Sequence, residues 1–572
     1  MSIGVSAIER SRALWSSERP SWLPERALPL LGEASLAAYV RQWAVTRPDD
    51  PAIWFYGRTV SWAELDAASD KLACCLLSRG LQRGARVGLF MANCPEYEIG
   101  FFGIMKAGLV VVPINPLLMA PEVAYELDDC GIEAVICAAQ LQTVLAKARP
   151  LASFRVVLAF QYGATVPAKC DFALPESLKV PDAPLSPYVE SLEALLDGPP
   201  MPPLEFANDP DEIAVLNYTG GTTGRPKGCI HTHGNIVQAA ANGVTYSVAI
   251  SEPAVIINFL PIFWIAGENW GILYPILSGS THCLLARWDV ETVARTIEVC
   301  KVSHFYGVVE NVESLLDHAE AHESDLSSLR SVQVTSFVRK ISVEGRRRVE
   351  RTLGASYREA SWGMTETHTW NCYTEGLDVD DRDLEQGSGF VGLPMPDTEF
   401  RIVDIDTRED LPLGAIGEIV VRSPTLMKGY WNKPEETARV LRDGWLYTGD
   451  LGRIGSWGAI HYVGRNKDML KINGMSVYPS EIEACLVSHP SVSQVAVVGL
   501  PDSKKGELAL ALVVAKDGKA GDAEALNQWC ADRMASYKVP RVEFVQELPL
   551  TNLGKIDKLR LRQCWTQKEN RP

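Results

Sequence analysis

No stretch of this chain approaches the roughly 20 consecutive apolar residues that a membrane-spanning helix needs. Met1 to Pro20 is charged and lacks the apolar core, about 7 to 15 residues long, of a signal peptide. No stable membrane insertion is therefore expected. The 13 cysteines form no Cys-x-x-Cys pair and no regular ladder, and two of them, Cys74 and Cys75, are adjacent. That usage argues against a disulfide scaffold and for small buried thiols in a reducing, cytoplasmic compartment. An excess of basic residues is missing as well: 55 Lys/Arg stand against 71 Asp/Glu, a formal charge of −16. Duplex binding relies on cations that neutralise phosphates, so the balance argues against a nucleic-acid partner. Repeats and low-complexity tracts are absent.

What is present suits a large enzyme. A chain of 572 residues exceeds what one core usually spans, and 47% hydrophobic residues can fill more than one. The charge is uneven: residues 466–572 carry 15 Lys/Arg and 13 Asp/Glu, and the part before them 40 and 58. A less acidic C-terminal piece is the natural side for an anionic ligand, although an ordinary solvated surface explains a net +2 equally well. Ser61-Trp-Ala-Glu64 is a capping box opening a helix with Leu65, Leu72 and Leu76 on one face and Gly80 as its stop, and Asn93 and Pro95 open another that runs to Gly108. Leu109 to Val112 and Ala134 to Ala138 are short apolar runs suited to parallel strands buried on both faces. Pro181 to Pro203 reads as a surface loop. From Thr398 the pattern turns antiparallel, with strands at Phe400 to Val403 and Glu418 to Val421, and after Arg465 a shorter α/β pattern brings helix signals at Ser480 to Ser488 and Asp522 to Ala535. The expected class is α/β, with a large N-terminal domain of βα layers.

Directly after the apolar run Ile213 to Leu216, the stretch Tyr218-Thr-Gly-Gly-Thr-Thr-Gly-Arg-Pro-Lys-Gly228 packs four glycines, three threonines and one lysine into eleven residues. Such a loop can wrap a polyphosphate. Gly220, Gly221 and Gly224 allow positive φ and close backbone approach, Thr219, Thr222 and Thr223 add hydroxyl donors, and Lys227 a point charge. The nucleotide-hydrolase P-loop fails here, because Gly224 is followed by Arg225-Pro226-Lys227. A surface turn has the same composition.

This segment resembles the phosphate loop of the adenylate-forming superfamily, which includes acyl-CoA synthetases, peptide-synthetase adenylation domains and luciferase, and most of all bacterial fatty-acid or aryl-acid CoA ligases. Further motifs follow in the family's order: Leu260-Pro-Ile-Phe-Trp264, Ser361-Trp-Gly-Met-Thr-Glu366, Tyr447-Thr-Gly-Asp450, Gly464-Arg-Asn-Lys-Asp468 with Asn473-Gly-Met-Ser-Val-Tyr-Pro479, and Leu553-Gly-Lys555. The resemblance covers roughly residues 35–562. It implies an adenylation domain over 1–464 with a small β-barrel-like subdomain at about 375–464, a hinge at 465–468, and a small mobile α+β lid domain over 469–572.

The same resemblance implies an acid:CoA ligase that uses ATP, Mg²⁺ and coenzyme A. Lys555 matches the catalytic lysine, Thr365 the α-phosphate donor, and Glu366 with Thr223 the metal ligands. Ser361, Trp362, Gly363 and Met364 match the adenine side, with Trp362 in place of the commoner tyrosine. Asp450 and Arg465 match the ribose-binding pair, where a carboxylate accepts two O–H bonds beside a guanidinium fork. Lys467 falls at the hinge, and Lys471, Asn473 and Gly474 at the pantetheine tunnel, although Asn-Gly is also a hairpin turn.

Two departures stand out. Relatives with Ser-Gly-Gly-Ala-Pro are answered here by Ser336-Phe-Val-Arg-Lys340, and Trp264 replaces a histidine. The usual loop serine is Gly220. No aspartate follows the fourth motif to hold an amine, and Trp264, Gly267, Trp270, Val308, Val309 and Phe337 suggest an apolar pocket for a medium or long fatty acid or an aryl acid. Glu268, with Trp264 and Trp270 near it, offers a cationic head group charge and ring contacts instead. An acyl-AMP ligase loading a carrier protein is the other alternative, and a homodimer is allowed.

Overall fold

The computed structural model describes residues 7–32, 34–219, 225–247, 253–336, 340–385, 389–472, 475–502, 505–516, 521–551 and 555–569. Among these the chain builds four main sheets. The first orders the strands Glu190–Ser191, Val156–Phe160, Ala134–Ala138, Arg86–Phe90, Val110–Ile114, Ile213–Tyr218 and Gly228–Thr232, parallel except for the last pair. Val110–Ile114 and Ala134–Ala138 are buried at every position, which is why they read as continuous apolar runs.

The second sheet orders Ser356–Glu359, Ser331–Thr335, His304–Val308, Val255–Asn258, Thr281–Leu284, Pro51–Phe55 and Arg58–Ser61. Helices cover both parallel sheets. Trp62–Ser78 starts at the expected box: the Ser61 hydroxyl accepts from Glu64 N–H at 3.2 Å, and the Glu64 carboxylate from Ser61 N–H at 2.7 Å. Leu65, Leu72 and Leu76 are fully buried beneath it, and Pro95–Lys106 packs alongside with proline in its first turn.

The third sheet is antiparallel, in the order Cys372–Tyr373, Phe390–Pro394, Ile460–Arg465, Trp445–Ile454, Gly417–Arg422, Glu399–Val403. It begins at Cys372, earlier than the change of pattern at Thr398 suggests, because Cys372 pairs with Pro394. The fourth joins Met475–Val477, Leu470–Ile472, Gly506–Ala515 and Val492–Asp502, with Arg541–Phe544 beside Gly506–Ala515. Helices Pro479–Val487 and Ala523–Ala531 pack against this sheet.

One expectation is corrected. Pro181 to Pro203 is not loop throughout: Glu190–Ser191 adds to the edge of the first sheet, and Leu192–Leu196 forms a short helix. The Ser191 hydroxyl caps that helix by accepting from Ala194 N–H, and Leu192 is buried under it.

Candidate functional site

The glycine-rich loop springs from a hairpin. Tyr218 pairs with Gly228, and beyond them Thr219 N–H donates to the Lys227 carbonyl at 2.9 Å while Lys227 N–H donates to the Thr219 hydroxyl at 3.2 Å. Gly220, Gly221, Thr222, Thr223 and Gly224 lie outside the described residues. The Lys227 ammonium stands 4.1 Å over the Tyr430 ring and 3.3 Å from Glu436. The Tyr430 hydroxyl in turn donates to Glu366 at 2.8 Å. Lys227 and Glu366 thus share one aromatic neighbour.

Thr365 and Glu366 sit on a tight turn between the short strands Gly363–Met364 and Thr369–Trp370. The hairpin is so close that a Cβ on Gly363 would come within 2.0 Å of the Thr369 carbonyl. His368 and Thr369 have φ of 50° and 72°, strained for a β-branched threonine. The turn is held from three sides. His231 Nε2 lies 2.8 Å from the Thr365 carbonyl, Met427 N–H donates to the Glu366 carbonyl at 2.9 Å, and the Thr425 hydroxyl donates to the Thr367 carbonyl at 2.8 Å. Because a carbonyl only accepts, His231 carries its proton on Nε2.

Behind the turn lies a buried polar cluster. His231 and His368 meet edge to face at 4.5 Å, His368 Nε2 faces Glu268 at 3.4 Å, and Asn217 donates to the other Glu268 oxygen at 2.7 Å. Glu268 is 0% exposed, so the carboxylate expected to offer a cationic head group a partner is committed inward. Burial pushes its pKa up to about 8 against the pull of Asn217, and burial also lowers His368 to about 3. Both are neutral near pH 7.

Asp450 and Arg465 face each other across neighbouring strands, with Arg465 Nε 2.7 Å from the carboxylate. The Trp362 indole N–H donates to the other Asp450 oxygen at 2.9 Å. Trp362 is 5% exposed and packs against Phe400, and Ser361 is fixed by its hydroxyl to the Cys372 carbonyl at 2.6 Å. Burial raises the pKa of Asp450, which Arg465 and Trp362 oppose.

Lys555 joins this group from the last part of the chain. Its backbone closes a turn with Thr551, N–H to hydroxyl at 3.2 Å and carbonyl to Thr551 N–H at 2.7 Å. Its ammonium lies 5.7 Å from the Trp264 ring centre. Although Lys555 is exposed as a residue, desolvation of its ammonium and then repulsion from Arg465 lower its pKa, and Asp450 raises it. Asp450 is therefore within electrostatic reach of Arg465, Glu366 and Lys555, and Arg465 of Glu366 and Lys555.

Of the expected acyl-pocket residues, Trp264 and Val308 are half-buried, each just ahead of a helix, and Val309 is buried. A Cβ on Gly267 would meet the Pro261 carbonyl at 2.0 Å, so this glycine lets the Leu260–Trp264 segment fold back on the helix it precedes. Phe337 lies outside the described residues, although its neighbour Ser336 is tied to Glu359 by N–H at 2.9 Å. Lys467 lies in the turn Asn466–Asp468, where burial lowers its pKa. Lys471 is exposed, with its N–H donating to Glu507 at 2.8 Å, and Ile472 pairs with Met475. Asn473 and Gly474 lie outside the described residues. Tyr430, His231 and His368 went unread in the sequence. Only the hydroxyl-bearing ring after Gly429 and a histidine three residues beyond the loop could have flagged the first two.

Two family models match: AMP-binding enzyme over residues 40–431 and AMP-binding enzyme C-terminal domain over residues 481–555. A long-chain-fatty-acid–CoA ligase of Bacillus subtilis (strain 168) is 33% identical, with 96% of this chain and 98% of that one covered. A feruloyl-CoA synthase of an Amycolatopsis species is also 33% identical, covering 91% and 98%. Among solved structures, the anthranilate CoA ligase AuaEII in complex with anthranoyl-AMP superposes with a TM-score of 0.79 at 26% identity, covering 94% and 98%. Among the described residues no helix is long and apolar enough to cross a membrane.

Proposed function

The chain belongs to the AMP-binding enzyme family, and from that premise we propose that it is an AMP-forming acid:CoA ligase acting on a fatty or aryl acid. The names of its relatives run in that direction, from long-chain-fatty-acid–CoA ligase to feruloyl-CoA synthase. In the first half-reaction a carboxylate oxygen attacks the α-phosphorus of ATP and the bond to pyrophosphate breaks. In the second, the thiol sulfur of coenzyme A attacks the acyl carbonyl, its proton leaves, and the bond to AMP breaks.

The observation that carries the residue assignment is Lys555, set close to Trp264 and to the Asp450–Arg465 pair. Both reactants of adenylation are anions, and a cation placed between them offsets their repulsion and the charge that develops on the α-phosphate. In this reading Asp450 and Arg465 hold the ribose, Ser361 to Met364 border the adenine, and Thr365 donates to the α-phosphate. Thr219 to Gly224 and Lys227 take the outer phosphates. Magnesium bound with a nucleotide uses only one or two protein carboxylates, which fits Glu366, whose Oε1 already accepts from Tyr430, together with Thr223. The ion supplies charge neutralisation on the phosphates.

The acid lies against Trp264, Gly267, Val308, Val309 and Phe337. Residues 1–464 form the adenylation domain, 465–468 the hinge around Lys467, and 469–572 a lid whose Lys471, Asn473 and Gly474 admit the thiol arm. A cytoplasmic setting fits free ATP and coenzyme A. Pyrophosphate release across a panel of carboxylic acids, with and without coenzyme A, tests the reading: acid-dependent release followed by CoA-dependent thioester is expected, and release that ignores the acid overturns it.

A further inference from the structure

Three segments border the mouth of the acyl site in this reading, and each contributes one ring to a single buried cluster. The strand His304–Val308 ends at Val308, and Tyr306 points to the same face two residues deeper, about 6 to 7 Å along an extended chain. The helix that follows Trp264 runs into a single wide turn, Asn269–Leu273, that carries Trp270. The strand after Thr365 and Glu366 carries Trp370. Tyr306 lies 5.1 Å from Trp370 and 5.3 Å from Trp270, centre to centre, and Trp270 lies 6.4 Å from Trp370. Tyr274 backs the group at 6.0 Å from Trp370 and 6.3 Å from Trp270.

At those separations the rings touch and leave no passage for a polymethylene chain between them. Two of them are also pinned. The Tyr306 hydroxyl shares a hydrogen bond with the Thr335 hydroxyl at 2.7 Å, and the Trp270 indole N–H donates to the Ile257 carbonyl at 2.8 Å. Swinging either ring aside would strand a buried polar group. The same closeness excludes a cage for a quaternary ammonium, which needs open space in front of each ring face.

We propose that Trp270, Tyr306 and Trp370 form a closed floor under the acyl site, which selects a compact acid, a single aryl ring or a short acyl chain, and rejects long-chain acids. The inference rests on the acid:CoA ligase reading and narrows its substrate class. The carboxylate end is set by Lys555 near Trp264, and the floor ring Tyr306 lies two strand residues below Val308 at the mouth. One methylene of misfit in such a pocket costs roughly 10- to 200-fold in discrimination, so the contrast is large.

The test uses the full chain with ATP, Mg²⁺ and coenzyme A, and measures kcat/KM for benzoate, cinnamate, butyrate, hexanoate, decanoate and palmitate. The best compact acid is expected to exceed palmitate at least about 100-fold. Palmitate equal to or ahead of every compact acid overturns the floor while leaving the ligase reading intact, whereas no acid-dependent pyrophosphate release with any member removes both. A second arm uses Trp370→Ala, checked by its melting curve. The folded variant should move decanoate up at least tenfold relative to benzoate, and an unchanged ranking overturns the proposal. Should the variant not fold, the wild-type ranking decides alone.

Discussion

Glu268, one turn of helix past Trp264, meets His368 at 3.4 Å, both without exposed surface, directly behind the turn that carries Thr365 and Glu366. The groups facing the carboxylate are Asn217, His368 and, at longer range, Tyr97, and none of them is a cation at neutral pH. In the folded chain Glu268 keeps its proton up to about pH 8, against an ordinary 4.5. Unfolding between those values releases a proton, so rising pH erodes stability over that window and not below it. Glu268→Gln cannot titrate. The melting temperature of the variant minus that of wild type should therefore climb from pH 5 to pH 8 and stay flat below about 4.5. A difference that does not move with pH would show that the carboxyl is not held protonated.

Trp362→Phe keeps a ring against Phe400 but deletes the donor to Asp450. A hydrogen bond to a charged group is worth about 1.5–3 kcal/mol, so KM for ATP should rise roughly tenfold or more, with a smaller effect on kcat. The carboxylate left behind is more basic, because the Trp362 donor opposes the upward push of burial. Binding should consequently weaken further toward acid pH. An ATP KM within twofold of wild type removes Trp362 from the ribose end of the site.

The order of motifs was legible because each is local, and so were the Ser61–Glu64 box and the wholly apolar strands. What links the motifs was not. Asp450 and Arg465 are register partners on adjacent strands, and Trp362 reaches Asp450 across 88 positions of sequence. Glu268 reads as a pocket group beside Trp264 because helix spacing puts the two on one face. Its burial depends on Asn217 and His368, 51 and 100 positions away, which no local pattern carries. The short helix Leu192–Leu196 was hidden for the opposite reason: five residues are too few for a period, and Ser191 alone marks its start.

Lys555→Ala removes a cation that stands beside Trp264 and within electrostatic reach of the Asp450–Arg465 pair. Losing one preorganised group that stabilises transition-state charge costs about 10² to 10³ in rate, and adenylation, followed as acid-dependent pyrophosphate release, should slow by that factor. Thioester formation from a supplied acyl-adenylate should survive, since it needs no charge on the α-phosphate to be offset by this side chain. Adenylation within twofold of wild type would mean that Lys555 meets neither reactant.

Lys467 occupies the short turn between the strand that ends at Arg465 and the strand that begins at Leu470, in chain order the last strand of the third sheet and the first of the fourth. Few backbone bonds cross there, so a change of φ and ψ at this turn would reorient the last sheet, with Lys555, against the rest. Proline fixes φ near −65° and restricts the residue before it, which should block such a change. In the proposed reading, in which Lys555 offsets charge during adenylation, its position beside Trp264 makes the present arrangement the adenylation one. Lys467→Pro should therefore release pyrophosphate in the first turnover at close to the wild-type rate, while acyl-CoA formation falls by orders of magnitude. Single-turnover measurement of both half-reactions separates the outcomes. Equal loss of both would mean that proline disrupts the turn itself, and equal retention that the pivot lies elsewhere.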